Sequence, residues 1–213
     1  MADFLTAEDL VRAYSSGIFP MAETQDDPEL FWVDPLRRGV FPLDGFHISR
    51  SLRKRMLRGD YTVFPDRDFA RCVRHCADRS ETWINAPLHR LYGELFDKGV
   101  AHSIEVWQEN QMVGGVFGLT IGGAFFGESM FSHQRDMSKI ALAFLIDRLN
   151  FGAFTLFDTQ FITPHLASLG ATEISRADYL DQLDQALESP GNFDALPAEV
   201  HASEVLQRST QTS

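Results

Sequence analysis

The sequence predicts an α+β fold in which a mixed sheet with flanking helices is preceded by a small N-terminal α/β subdomain. Three observations carry this. From Tyr61 onward apolar residues switch between helical and strand spacing, in the order strand, helix, helix, three strands, helix, strand, helix. Those three strands follow one another through turns too short for anything but antiparallel pairing. The first 60 residues, broken by Pro28, Pro35 and Pro42, are too few to bury a core of their own. The expected division is therefore 1–60, a small subdomain packed on the larger one; 61–189, the main domain; and 190–213, a weakly structured polar tail.

Each element has a local reason. Thr6 can cap a first helix whose opening turn holds Glu8 and Asp9, with Gly17 after its end. A turn at Tyr14-Ser-Ser-Gly-Ile-Phe-Pro comes next, then short β pieces at 30–33 and 39–41 and a basic helix over 49–57. Residues 61–64 read as a strand, 66–77 as a helix, and 87–98 as a second helix begun by Pro87 and stopped by Gly99. Strands at 102–108, 112–121 and 124–128 form a meander through Glu109-Asn110-Gln111 and Gly122-Gly123. A strongly apolar helix over 138–150, a buried strand at 154–157, a short helix at 164–169 and a last helix opened by Ser175 with Asp178 complete the domain. Beyond Glu188 the chain is polar and holds Pro190 and Pro197, which predicts weak structure.

Charge narrows the partners. A net charge of −11 excludes a protein that coats nucleic acid over its whole surface. The cations are nonetheless clustered: between His47 and Gly59 lie Arg50, Arg53, Lys54, Arg55 and Arg58 with no acid among them, a local phosphate-binding candidate. No segment reaches the roughly 20 apolar residues of a membrane helix, so no membrane partner is expected. The acidic start is unlike a secretory signal, and a cytoplasmic protein is expected. Cys72 and Cys76 are expected in a buried stripe with Phe69 and Val73 rather than at a metal, which would need two further ligands.

The element order resembles that of the acyl-CoA-dependent N-acetyltransferases, so the implied main domain is N-acetyltransferase-like (GNAT-like), with the fourth and fifth strands splayed around the acyl donor. That fold's pyrophosphate loop, Gln/Arg-x-x-Gly-x-Gly/Ala, should follow the fourth strand. This chain has Gln134-Arg-Asp-Met-Ser-Lys139 there. Met137 stands where glycine would admit phosphate, and Asp136 repels it. Coenzyme A is disfavoured, and no cofactor or metal is expected.

Two motifs remain at the mouth of the expected gap. Gly127-Glu-Ser-Met-Phe-Ser132 closes the fourth strand and Phe157-Asp-Thr-Gln160 the fifth. On an extended segment Asp158 and Gln160 project to one side, so that one could orient the other, while Thr159 faces away. Taken with Tyr14-x-x-Gly-Ile-Phe-Pro, His47-Ile-Ser-Arg-Ser, Thr82-Trp-Ile, His102-Ser-Ile-Glu-Val-Trp, Val113-Gly-Gly and His165-x-x-Ser-Leu-Gly-Ala, these motifs resemble the leucyl/phenylalanyl-tRNA–protein transferase family. The resemblance runs from about Leu10 to Leu183.

The resemblance implies an aminoacyltransferase. Its donors would be leucyl-tRNA and phenylalanyl-tRNA, its acceptors proteins with a free N-terminal Arg or Lys, and its purpose N-degron marking. It implies catalytic roles for Asp158, Gln160 and Glu128, the last contacting either the donor's amino group or the incoming cationic N-terminus. Val116, Leu142, Leu145 and Phe157 would form the aminoacyl pocket. Trp83 would stack on the terminal adenine, and Arg50, Arg53, Lys54, Arg55 and Arg58 would hold the tRNA. The motifs require no second copy, and a monomer is expected. Two departures stand out: Met21 takes the place where the family often has tryptophan, and would still cover an adenine face, and the Gly-Gly-Asp-Leu that the family often has upstream of the first helix is not found in this sequence. The same fold could serve a coenzyme A-dependent acyltransferase, or a non-catalytic RNA-binding module that would leave the grouping of Glu128, Asp158 and Gln160 unexplained.

Overall fold

The computed structural model describes residues 5–210; residues 1–4, part of the acidic start, and 211–213, the end of the expected tail, lie outside the described residues. Helix α1 (Ala7–Ser15) begins at a reciprocal capping box between Thr6 and Asp9, and Gly17 turns the chain with φ +82°. The expected turn then becomes a strand, β1 (Phe19–Met21), paired antiparallel with β2 (Phe31–Val33) in a two-stranded sheet. Strand β3 (Arg37–Val40) and helix α2 (Arg50–Met56), capped by Ser49, come after it.

The main sheet has seven strands. Strand β4 (Thr62–Pro65) is followed by helices α3 (Phe69–Ala77) and α4 (Ala86–Asp97), then by the meander β5 (Ala101–Gln108), β6 (Gln111–Ile121) and β7 (Ala124–Ser132). Helix α5 (Met137–Phe151) crosses over to β8 (Leu156–Gln160), and α6 (Pro164–Ser168), β9 (Thr172–Ser175) and α7 (Arg176–Glu188) come next. The spatial order is β4-β5-β6-β7-β8-β3-β9. All pairs are antiparallel except β7 with β8, so the sheet is mixed, as expected. Strand β3, from the N-terminal 60 residues, sits inside this sheet between β8 and β9.

One detail creates the site. Strands β7 and β8 pair only over Ala124–Phe126 and Leu156–Asp158, and beyond those residues the ladder ends. Helix α5 packs on β5, β6 and β7 over one core cluster, while α3 and α4 pack through a second cluster that also takes in Tyr14, Phe19 and Tyr179. The stripe Phe69, Cys72, Val73, Cys76 is buried in that second cluster, as its spacing predicts.

Three expectations need correction. Strand β8 starts two residues later than the apolar run, because Phe154 packs as a core residue before the ladder begins. Strand β9 is not foreseen by periodicity; Thr172–Ser175 is too short and polar to show alternation, and pairs at the sheet edge with Arg37–Val40. The tail is ordered through Thr210 among the described residues. A 3-10 turn (Phe193–Ala195) and helix α8 (Ala202–Ser209) dock on α5, burying Phe193, Leu196, Val205 and Leu206. Buried Arg148 of α5 is the reason: it donates to the carbonyls of Phe193 (2.8 Å), Leu196 (2.9 Å) and Pro197 (2.6 Å), while Arg208 of α8 pairs with Asp147.

Candidate active site

A cavity of about 400 Å³ opens where β7 and β8 part. Val116, Met130, Leu142, Phe157 and Leu166 line one end, all from the α5 side of the sheet. Phe19, Met21, Arg79 and Trp83 line the other, and Glu128 and Gln160 stand with them in the wall. The cavity thus joins an apolar end to one bearing aromatic and cationic groups.

Two strand irregularities aim the polar residues. In β6–β7 the register passes from Phe117↔Ser129 to Gly118↔Gly127, which leaves Glu128 without a partner, a β-bulge. In β3–β8 it passes from Val40↔Asp158 to Gly39↔Gln160, and Thr159 is the extra residue. Gln160 itself has φ +56°, in the left-handed region. Strict alternation therefore fails here. Gln160 lines the cavity and Asp158 does not, and Thr159, expected to face away, lines it too. Gly39 makes the bulge possible: a Cβ there would meet Thr159 Oγ1 at 2.8 Å.

Asp158 is fully buried beneath the cavity rather than at its mouth. Oδ1 accepts from Arg38 Nε (2.9 Å) and from the Gln160 backbone N–H (2.8 Å). Oδ2 accepts from Arg38 Nη2 (2.6 Å) and from the Tyr179 hydroxyl (3.0 Å). Arg38 also donates to the Gly17 carbonyl at 2.9 Å and lies between the rings of Phe19 and Tyr179, 4.6 and 4.4 Å from their centroids. Burial opposes the guanidinium charge, and the bonds to Asp158 outweigh it, leaving the Arg38 pKa raised. The aspartate's acceptor capacity is spent on holding the backbone at Gln160.

Glu128 is placed differently. It is half-buried, Oε2 accepts from the Tyr92 hydroxyl at 2.7 Å, and Oε1 makes a long 3.5 Å contact with Gln160 Nε2. Burial raises its carboxyl pKa; the hydroxyls of Tyr92 and Tyr14 oppose this, and the net position is about 7. Tyr14 Oη lies close enough to favour the carboxylate without reaching hydrogen-bond geometry. Both tyrosines are themselves held neutral by burial.

Of the expected site residues, the structure brings Glu128, Gln160, Met21, Trp83, Val116, Leu142 and Phe157 to one cavity. Leu145 is a correction: although it shares a helix face with Leu142, it does not line the cavity and is buried in the core cluster under α5. The basic segment stands apart from the cavity. On α2, Leu52 and Met56 face the core while Arg50, Arg53 and Lys54 are exposed, as is Arg58 just beyond. These four exposed cations make no ion pair among the described residues, whereas Arg55 is paired with Asp60. Arg38, Tyr92, Tyr179 and Arg79 carry no motif that singles them out in the sequence. For Arg38 a signal exists, an arginine next to the glycine of a short strand, but adjacent Arg37 looks identical and is exposed.

A carboxyl whose pKa burial raises to about 7 stands beside an amide in a cavity with an apolar end, an arrangement suited to the site of an enzyme. The family is established by comparison. Residues 40–184 match the family described as leucyl/phenylalanyl-tRNA protein transferase, and residues 4–36 match the N-terminal domain of the same family. A leucyl/phenylalanyl-tRNA–protein transferase of Ruegeria sp. (strain TM1040) is 61% identical, covering 98% of this chain and 99% of its own length. Relatives of the same name from Cereibacter sphaeroides (strain ATCC 17023) and Roseobacter denitrificans (strain ATCC 33942) are 60% and 57% identical over 98% of this chain, with 98% and 99% of their own lengths covered. The chain belongs to the leucyl/phenylalanyl-tRNA protein transferase family. Among solved structures, one titled the structure of L-PGS from Bacillus licheniformis aligns with 76% of this chain and 55% of its own at 16% identity and a TM-score of 0.42, a likeness too loose to inform fold or function. No helix among the described residues is long and apolar enough to cross a membrane.

Proposed function

We propose that the enzyme transfers leucine or phenylalanine, with methionine as a further apolar donor, from tRNA to the free α-amino group of proteins beginning with Arg or Lys, marking them as N-degrons. The meeting of Glu128 and Gln160 where β7 and β8 part carries the reading. The aminoacyl side chain enters the apolar end, formed by Val116, Leu142 and Phe157, and the terminal adenosine lies toward Trp83 and Met21. Parting of β7 from β8 around the donor also supports the GNAT-like description of the main domain.

In the reaction the neutral amine attacks the ester carbonyl, the new C–N bond forms, the C–O bond to the ribose 3′ oxygen breaks, and that oxygen leaves with a proton. Ester becomes amide, so no further energy source is needed. The Gln160 side-chain oxygen can accept an N–H of the amine and set its approach. Glu128, its pKa near 7, can draw the ammonium in and take the proton it must lose before attack. Asp158 acts through Gln160: with Arg38 and Tyr179 it fixes the backbone that presents the amide. The exposed cations of α2 hold donor phosphates. We take the enzyme to act as a monomer in the cytoplasm, where charged tRNA is made.

The test is transfer of radiolabelled leucine from leucyl-tRNA to two peptides differing only in a free or an acetylated N-terminal Arg, with the wild-type enzyme, Gln160→Ala and Asp158→Ala. Label should reach the free peptide alone and be lost in both variants. Label on the acetylated peptide, or full transfer by Gln160→Ala, would remove this reading.

A further inference from the structure

A second concavity lies at the far end of the strand that carries Glu128. It measures about 430 Å³ and is walled on one side by Ser51, Lys54, Arg55 and Arg58 and on the other by Gln134, Arg135 and Asp136, with Asp60 and Gln108 between. Four cations and two carboxylates line it. Both carboxylates are already engaged: Asp60 by Arg55, and Asp136 by Lys139 at 2.9 Å and Arg135 at 3.5 Å. The Gln108 amide donates to the Asp60 carbonyl at 3.0 Å. Lys54 and Arg58 have no carboxylate partner among the described residues. On a chain of net charge −11 this is a concentrated positive groove.

Its position is informative. Ser129 and Met130 line the cavity, Ser132 ends β7, and Gln134 and Arg135 line the groove, so one unbroken run of chain connects them. Gln134 is four positions on from Met130, a reach of at most about 14 Å. Arg79 stands on the same route, held by the Ser129 hydroxyl at 2.8 Å and the Met130 carbonyl at 2.5 Å. A duplex is too wide to follow such a path into a 400 Å³ cavity, whereas a single strand of a few nucleotides is not.

We propose that this groove binds the sugar-phosphate backbone at the base of the donor's unpaired 3′ end, with Arg135 as the second wall facing α2, and that the end of β7 sets the length of single strand reaching the cavity. The inference rests on the aminoacyl-tRNA reading of the cavity. It adds that Arg135, outside the basic segment, contacts the donor, and that the unpaired extension is what the groove recognises.

Arg135→Ala is the variant of choice, since that side chain is 90% exposed and Lys139 still holds Asp136 without it. Binding is read first, apart from transfer, with two uncharged RNA hairpins of equal stem, one blunt and one with a four-nucleotide unpaired 3′ end. Across a salt series Arg135→Ala should reduce the log–log salt slope for the extended hairpin by about 0.7, the share of one single-strand phosphate, and leave the blunt hairpin unchanged. Transfer is read second, from leucyl-tRNA and from 3′-O-leucyladenosine, which has no phosphate. Arg135→Ala should lower kcat/KM several-fold for leucyl-tRNA and not for leucyladenosine. An unchanged slope, equal losses on blunt and extended hairpins, or an equal fall with both donors would overturn the proposal. Should wild-type enzyme transfer from neither donor, the transferase reading fails, and the hairpin slopes still decide the groove.

Discussion

Arg38 and Asp158 face each other through two parallel contacts, Nε to Oδ1 at 2.9 Å and Nη2 to Oδ2 at 2.6 Å, with both side chains closed to solvent. Their geometry supports the positioning role proposed for Asp158: its oxygens point to Arg38, Tyr179 and a backbone N–H, not into the cavity.

Removing one partner of a buried, hydrogen-bonded pair strands the other, at a cost of about 3–5 kcal/mol. Arg38→Met should lose roughly that much stability in urea titrations. Asp158→Asn, closest in shape, should retain some transfer, with a lower kcat and an unshifted pH profile. A profile displaced in Asp158→Asn would mean that Asp158 exchanges protons with substrate, and the positioning role would be wrong.

Glu128 gives the pH dependence. Its pKa is raised from 4.5 to about 7 in the folded protein, so between those values the folded state holds a proton that the unfolded state releases. Its contribution to stability is full below pH 4.5 and is lost as pH rises through 7. If the carboxylate is the working form, kcat/KM rises over the same interval with an apparent pKa near 7. Glu128→Gln should flatten both curves. Tyr92→Phe deletes a hydrogen bond that favours the charged carboxylate, so the ascending limb should move to higher pH. A limb that stays put in both variants would assign it to another group.

The two leucines of α5 separate specificity from stability. Leu142 lines the cavity and Leu145 does not. Leu142→Phe should narrow the apolar end and lower kcat/KM for phenylalanyl-tRNA more than for leucyl-tRNA, by about 10-fold, the scale of a methylene or two in a pocket. Leu145→Ala should cost about 2–5 kcal/mol of stability with the donor ratio unchanged. Competition between the two charged tRNAs measures the first, and denaturant titration the second.

These variants mark how much of the molecule is legible in its sequence. The long strands and helices are, because periodicity and end signals agree there: Thr6 caps α1, Pro87 stands in the first turn of α4, and Gly99, with φ +69°, follows its end. Glu128, Gln160, Met21 and Trp83 of the cavity are legible through motifs, whereas Arg79 in the same wall is not. Features that stay hidden depend on departures from regular spacing. A bulge at Thr159 and a left-handed Gln160 send Asp158 to Arg38, which is 120 residues away along the chain. Periodicity has no way to register a single inserted residue. Arg38 and Arg37 differ only in which face of β3 they occupy, and a four-residue strand does not announce its faces.

The tail shows the same blindness at larger scale and supplies the last prediction. Beyond Glu188 few apolar residues recur at helical or strand spacing, because Phe193 and Leu196 dock singly. Phe193 stacks on His102 with ring centroids 4.1 Å apart, and three carbonyls between 193 and 197 converge on the Arg148 guanidinium. Hydrogen bonds to a charged donor contribute about 1.5–3 kcal/mol each, not additively. Arg148→Ala should therefore lower stability by about 3–5 kcal/mol, as expected when a buried charged donor leaves its acceptors unpaired. A chain ending at residue 189 should lose more, since it also bares the face of α5 covered by Val205 and Leu206. Limited proteolysis of Arg148→Ala distinguishes local from global loss: early cleavage within 190–210 while 61–189 stays intact means the arginine pins the tail alone. Simultaneous cleavage throughout would instead make the tail part of the cooperative core.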